Sequence, residues 1–329
     1  MPFFEDLRVG QVERAAPSVT LTDGMAAVHQ SILGDRLRLA LDRKLARDVL
    51  GLRAPLAHPA LVWDLAIGQS TLLSRRVIAN LFYRGLVLKR MPVIGDTLST
   101  STEVVALRPT TPRPGRAASG LAALRVRTSD QEGRSVLDFW RCAMLPLRDP
   151  DGEAGEPVGS FEEIPSELAP EALRVATASW HLSALARANA GSRAGKLEPG
   201  MRFSPDGGDV VSGASELARL TLNIAAVHHD GPAQPDGRRL VYGGHTIGLA
   251  AAQATRMLPE ILTIVGWHSC EHLAAVHEGE TLRSELELER LEELSDGGAL
   301  AHLRSRVQAL GEEREPVDVL DWRFVAVLA

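Results

Sequence analysis

Apolar and polar positions along the chain fall into the same order twice. In the first half, Leu61, Val62, Leu65 and Ala66 recur at helical spacing, predicting a helix over about 59–73. β-rich runs follow at 79–87, 98–107, 121–128 and 136–145, with turn signals at Gly95-Asp96 and Asp130-Gln131-Glu132-Gly133. The second half repeats the pattern with a helix over 244–257 and strands near 261–268, 281–291, 300–310 and 317–328. A long helix followed by a run of antiparallel strands is an α+β arrangement, not a βαβ one.

Short segments recur with the elements. Val136-Leu137-Asp138-Phe139-Trp140-Arg141 returns as Val319-Leu320-Asp321-Trp322-Arg323-Phe324, and Ile94-Gly95-Asp96-Thr97-Leu98 as Glu278-Gly279-Glu280-Thr281-Leu282. The segment at Arg53–Pro59 lines up with Gly237–Gly243. The chain therefore divides into a first repeat (1–148), a connecting stretch (149–199) and a second repeat (200–329). The connector opens rich in Gly, Pro and acids, as a surface linker does, and turns helical and Ala-rich over 171–190. The stretch 108–120, with three prolines and two glycines, reads as an excursion between strands.

Composition narrows the function classes. Apolar residues make up 45 % and charged residues 24 %, ordinary for a globular protein, while aromatics at 4 % leave the core to Leu, Val, Ala and Ile. A net charge of -6 lacks the basic field a nucleic-acid binder needs. Cys142 and Cys270 sit in apolar, strand-like contexts and read as buried free thiols. The start Met1-Pro2-Phe3-Phe4-Glu5-Asp6 shows no signal-peptide pattern, and no apolar run is long enough to span a bilayer. A soluble, cytoplasmic protein is expected, without nucleic-acid or membrane partners.

The densest cluster of reactive types lies in the second half: Asn223, His228-His229-Asp230 and Tyr242-Gly243-Gly244-His245, with seven of the ten histidines between His228 and His302. A histidine near a Gly-Gly that opens a helix can act as a general base, while free helix-start N–H groups hold a developing oxyanion. Asp230 and His245 could support such a site, although a turn is the simpler role for Asp230. His268, His272 and His277 have spacings that invite a metal reading, but lack the cysteine or carboxylate set of a structural zinc site; no metal is expected. Arg238-Arg239 could meet phosphates or lie in a solvated loop.

These residues carry a resemblance. Leu33-Gly34-Asp35-Arg36-Leu37-Arg38-Leu39-Ala40-Leu41-Asp42 and Thr221-Leu222-Asn223-Ile224-Ala225-Ala226-Val227-His228-His229-Asp230 resemble the hydratase motif of the MaoC-like, R-specific enoyl-CoA hydratase family, Gly-Asp-x-Asn-Pro-x-His-x-Asp. His58-Pro59 and Tyr242-Gly243 match its His-Gly pair before the central helix. The resemblance spans nearly all of the chain outside the connector and is nearest the double-hotdog branch, which includes mesaconyl-CoA-hydratase-like proteins. It implies two side-by-side units, each a long helix wrapped by an antiparallel sheet.

Departures from the motif separate the halves. In the first, Ala40 stands at the catalytic histidine position and Pro59, which has no N–H, at the glycine position. That half is expected to be a scaffold. In the second, His228, Gly243 and Gly244 remain, but Asn223 stands where the family has aspartate and cannot take a proton at neutral pH. The resemblance then implies His228 as base, Asn223 positioning water, and Tyr242, Gly243 or Gly244 at the thioester carbonyl.

The expected activity is reversible addition of water to an enoyl thioester, with coenzyme A as part of the substrate and no other cofactor. The alternatives are a non-catalytic acyl-thioester-binding protein and, with less support, a thioesterase. A duplicated unit supplies its own pairing, and further homodimerisation is a separate expectation.

Overall fold

The computed structural model describes residues 1–328 except 112–113, 116, 154, 186–196, 233, 235–236, 296 and 312–314. The first repeat runs β1 (Val12–Glu13), β2 (Val19–Thr20), α1 (Asp23–Leu33), α2 (Arg38–Leu41), α3 (Arg43–Leu50), α4 (Pro59–Gln69), β3 (Ala79–Leu88), β4 (Thr97–Pro109), β5 (Ser119–Ser129) and β6 (Ser135–Pro146). The connector carries α5 (Pro170–Thr177). The second repeat runs β7 (Arg202–Phe203), β8 (Asp209–Val210), α6 (Ala214–Leu220), α7 (Gly243–Met257), β9 (Ile261–His272), β10 (Thr281–Glu293), β11 (Ala299–Leu310) and β12 (Val317–Leu328).

The twelve strands form one sheet in the order β1-β4-β5-β6-β3-β9-β12-β11-β10-β7, with β2 on β4 and β8 on β10. The repeats join where β3 pairs antiparallel with β9, Tyr83 opposite Cys270 and Leu86 opposite Trp267. This is a double hotdog. β4 and β10 alternate inward and outward residues, as one-sided burial requires. The helices do not alternate in that way: all eleven residues of α4 are buried, as are twelve of fifteen in α7. A helix enveloped on every side has no polar face, so the spacing of apolar residues in α4 understates its burial. Few aromatics are present, yet Trp63, Trp267 and Trp322 are all buried, with Trp267 edge-on to the other two at 4.9 and 5.6 Å.

The two units are built alike in detail. Gln69 at the end of α4 donates to the Leu98 carbonyl, and Gln253 near the end of α7 to the Leu282 carbonyl. Each motif segment docks on the helix of the other repeat. Thr255 of α7 accepts the Arg36 N–H at 3.0 Å, and Thr71 just beyond α4 accepts the Ile224 N–H at 3.1 Å. In the connector, α5 packs on the central strands with Leu173 buried, near Leu168 and Trp180. It is shorter than the predicted helix over 171–190, whose last five residues lie outside the described ones. Of the excursion at 108–120, residues 112–113 and 116 likewise lie outside. Both cysteines are free and buried.

Candidate functional site

After α6 the chain turns back at Leu222, which takes a left-handed φ of 57°. The first repeat places Gly34 at the same point with φ 68°. Glycine adopts that conformation without strain, whereas a branched side chain there costs about 1–2 kcal/mol. Asn223 follows, buried, with its Oδ1 accepting the Ala225 N–H at 3.0 Å. Asp35 makes the same turn to the Leu37 N–H at 3.1 Å. The bond to Ala225 leaves Asn223 its Nδ2 donors to present. α4 approaches this segment so closely that a Cβ on Gly68 would stand 1.8 Å from the Thr221 carbonyl oxygen.

His228 ends a short 3-10 turn, Ala226–His228. Its Nδ1 donates to the Leu240 carbonyl at 2.8 Å, which makes Nε2 the proton-accepting atom of the neutral ring. Burial pushes the imidazole down to about 4, against the raising effect of the Leu240 bond. Its ring lies edge-on to Tyr242, 5.8 Å between centroids.

His228, Asn223 and Gly243 line a cavity of about 210 Å3 whose other wall comes from the first repeat: Thr71, Asn80, Tyr83 and Arg141. Gly243 is the first residue of α7, so its N–H has no acceptor within the helix. A second cavity, about 510 Å3, shares Thr71 and Asn223 with the first and meets the surface at Pro17, Arg219 and Ile224.

The remaining candidates lie elsewhere. The Tyr242 ring forms part of the cavity wall, but its hydroxyl faces away, toward the Asp64 carbonyl and carboxylate oxygens at 3.2 Å each. Gly244 is not on the cavity; it is needed because a Cβ there would meet Asp64 Oδ1 at 2.2 Å. His245 is fully buried with neither ring nitrogen hydrogen-bonded among the described residues, and burial pushes it down to about 4. Asp230 is exposed in the turn, off the cavity. Of these candidates the structure places the Tyr242 ring on the cavity with Gly243, and Gly244, His245 and Asp230 outside its lining.

The three histidines read as a metal spacing diverge. His268 stacks on His302, Nε2 to Nδ1 2.8 Å; His277 bonds the Arg239 carbonyl; His272 lines the cavity. Among the described residues no group of three or more His, Cys, Asp or Glu is arranged to hold a metal. Arg239 pairs with Glu278 at 2.8 Å and Arg238 lies 3.6 Å from Glu280, so both arginines meet carboxylates.

Three lining residues escape a reading of motifs. His272 closes over Gly243, leaving no room for a Cβ, and burial pushes its pKa down to about 4. The Tyr83 hydroxyl makes no hydrogen bond among the described residues, and burial raises its pKa. Arg141 is 2 % exposed and reaches Asn80 Oδ1 at 3.0 Å and Ser70 Oγ at 2.8 Å. The repeat alignment carries a signal for the last: Arg141 stands where the second repeat has the buried Phe324.

The first repeat closes the equivalent place. His58, at the position of Tyr242, points its Nε2 at Asp35 Oδ1, 2.9 Å away, with both side chains buried. Burial alone would raise the Asp35 pKa; the charge and hydrogen bond of His58, with the Leu37 N–H, hold it below the usual carboxylate range. No base stands at Ala40 and Pro59 offers no N–H.

A double hotdog with an imidazole and a helix-start amide on one cavity defines the class of acyl-thioester hydratases. The chain belongs to the MaoC-like family of CoA-thioester hydratases and dehydratases. It is 31 % identical to a mesaconyl-CoA hydratase of Cereibacter sphaeroides over 320 residues, 95 % of this chain and 90 % of that protein. It is 32 % identical to a beta-methylmalyl-CoA dehydratase of Chloroflexus aurantiacus over 288 residues, 85 % of this chain and 80 % of that one. A conserved hypothetical protein of Mycobacterium tuberculosis with a double hotdog fold superposes with TM-score 0.86 at 50 % identity, covering 99 % of this chain and 98 % of that one. A MaoC domain protein described as a dehydratase, from Chloroflexus aurantiacus, gives 0.84 at 26 %, covering 99 % and 97 %. No protein-family model matches the chain. Among the described residues no helix is long and apolar enough to cross a membrane.

Proposed function

We propose that the protein adds water reversibly across the α,β double bond of a short enoyl-CoA. The observation that carries this reading is His228, its Nδ1 anchored on Leu240 and its Nε2 left to accept a proton, on the cavity that also holds the Gly243 amide. Water attacks the β carbon as Nε2 takes its proton. The electron pair moves to the thioester oxygen, held by the Gly243 N–H at the positive end of α7. The imidazolium returns its proton to the α carbon, so water is added and nothing is oxidised. Asn223, whose amide is no base, holds the attacking water by donating from Nδ2 to the water oxygen. The wider cavity at Pro17 and Ile224 takes the pantetheine arm, while the small inner one takes the acyl group.

The relatives' names support the reaction class, and the cavity lining disfavours hydrolysis, since among the described residues no Asp or Glu lines the inner cavity to activate water for acyl attack. The competing reading, a binding protein without turnover, draws on Asn223 and its occupied Oδ1. Incubation with crotonyl-CoA and fumaryl-CoA separates the three. Hydroxyacyl-CoA formed without free thiol, and lost in His228→Ala, supports the hydratase. Free thiol indicates hydrolysis, and binding without product indicates the carrier.

A further inference from the structure

α7 opens on a Gly-Gly pair, and its N-cap residue, Tyr242, makes no side-chain bond to the first turn among the described residues. Two glycines in succession give the backbone around the Gly243 amide little restraint of its own. The restraint comes from the other repeat. Asp64, in the middle of α4 and 0 % exposed, accepts the Tyr242 hydroxyl on Oδ1 at 3.2 Å and His29 Nε2 of α1 on Oδ2 at 3.0 Å. Burial and the neighbouring Asp64 raise the pKa of that hydroxyl, so it keeps its proton and donates. Gly244 makes room for the contact, because a Cβ there would run into Asp64 Oδ1. A carboxyl group taken wholly out of water is costly to keep. The second repeat does without one. Counting back from Gln69 and Gln253, Gly248 holds the position of Asp64; counting back from Asp35 and Asn223, Leu217 holds that of His29. The fold itself therefore does not require the pair.

We propose that Asp64, held by His29, is a positioning residue for the reaction: through the Tyr242 hydroxyl it fixes the start of α7, and with it the Gly243 N–H that receives the thioester oxygen. The inference rests on the acyl-CoA reading above and extends it to residues outside the cavity. Tyr242 immediately precedes Gly243, and its ring lies edge-on to His228, so one anchor orients both the oxyanion donor and the base. The ring forms cavity wall while the hydroxyl faces away from it, so the hydroxyl acts on turnover through position and not through contact with substrate. Donors aimed at a developing oxyanion stabilise it only if they already stand in place, and small displacements are costly in rate. The repeat without a base thus supplies the brace for the repeat that has one.

The test removes the hydroxyl and leaves the ring. In Tyr242→Phe, verified as folded, kcat for crotonyl-CoA is expected to fall by about tenfold or more, with KM changed by less than about threefold. Asp64→Leu is expected to show the same split, and the double variant to lose no more than either single one, as for two residues acting through one bond. Asp64→Asn, which still offers the hydroxyl an acceptor, is expected to recover most of the loss. Wild-type kcat in Tyr242→Phe, or a loss confined to KM, overturns the proposal even if Asp64→Leu fails to fold. A second arm needs no turnover. Infrared difference spectra of bound butyryl-CoA, isotope-labelled at the thioester carbonyl, are expected to show the C=O stretch lowered in wild type and less lowered in Tyr242→Phe. No shift in the wild type, or an equal shift in both proteins, overturns the positioning role. Absence of hydration, with a carbonyl shift that responds to Tyr242→Phe, removes the hydratase reading and leaves the anchor standing. Hydration with kcat and carbonyl both indifferent to Tyr242→Phe does the reverse.

Discussion

The places around Asp35 and Asn223 began as copies and have become opposites. Both segments make the same side-chain turn, and both hang from a threonine hydroxyl of the other repeat, Thr255 in α7 and Thr71 just beyond α4. At the first, His58 fills the space and pairs with Asp35, both groups leaving solvent together. At the second, the histidine position is swapped for Tyr242, whose hydroxyl turns toward Asp64, and a cavity opens under His228. A buried histidine–carboxylate pair and an open cavity are alternative uses of one backbone. The duplication lets the chain keep both, with the closed copy supporting the wall of the open one.

Breaking the closed copy should damage stability. His58→Ala leaves Asp35 buried without its partner and is expected to lower unfolding free energy by about 3–5 kcal/mol, measured by urea denaturation. Next is acid. Burial pushes His228 and His272 down to about 4, so between that value and about 6.5 the unfolded chain binds protons that the folded one does not. Stability is therefore full above pH 6.5 and falls as pH drops toward 4, by up to about 3 kcal/mol per imidazole. Asp35, its pKa lowered, contributes above its unfolded value near 3.8 and is not part of that loss. A His228→Gln, His272→Gln double variant should flatten the decline; an unchanged slope in denaturation at pH 7.5 and 5.0 would assign it elsewhere.

Smaller changes probe the docking of the two segments. Gly68→Ala drives a methyl into the Thr221 carbonyl and must shift Asn223; a loss of about tenfold in kcat/KM is expected, below the roughly hundredfold that a misplacement of one ångström can cost. Leu222→Gly, copying Gly34, removes the left-handed strain and should raise stability by about 1 kcal/mol, seen as a rise in Tm. No rise would mean that packing of the Leu222 side chain offsets the strain.

The α+β repeat and its central helices were legible from periodicity and recurring segments, because helices and strands bury residues at fixed intervals; the double-hotdog class came from the resemblance of the two motif segments to the MaoC-like family. His228 and Gly243 could be read from a motif confined to one stretch of chain. Arg141, Tyr83 and Thr71 could not, because they reach the cavity across the junction of the repeats and belong to strands or a helix end far away in sequence. Gly244 and His245 looked reactive by adjacency, yet successive helical residues point about 100° apart and these two face the interior. The pairing of His58 with Asp35 has no spacing signature either, since 23 residues separate them.

The central claim is that the chemistry belongs to the open copy alone. The most direct test is hydration of fumaryl-CoA and crotonyl-CoA by wild type, His228→Ala and His58→Ala, each verified as folded at the assay temperature. The account predicts turnover in wild type, a fall of at least 100-fold in His228→Ala, and retained kcat in His58→Ala. Retained turnover in His228→Ala, or its loss in a folded His58→Ala, would contradict it.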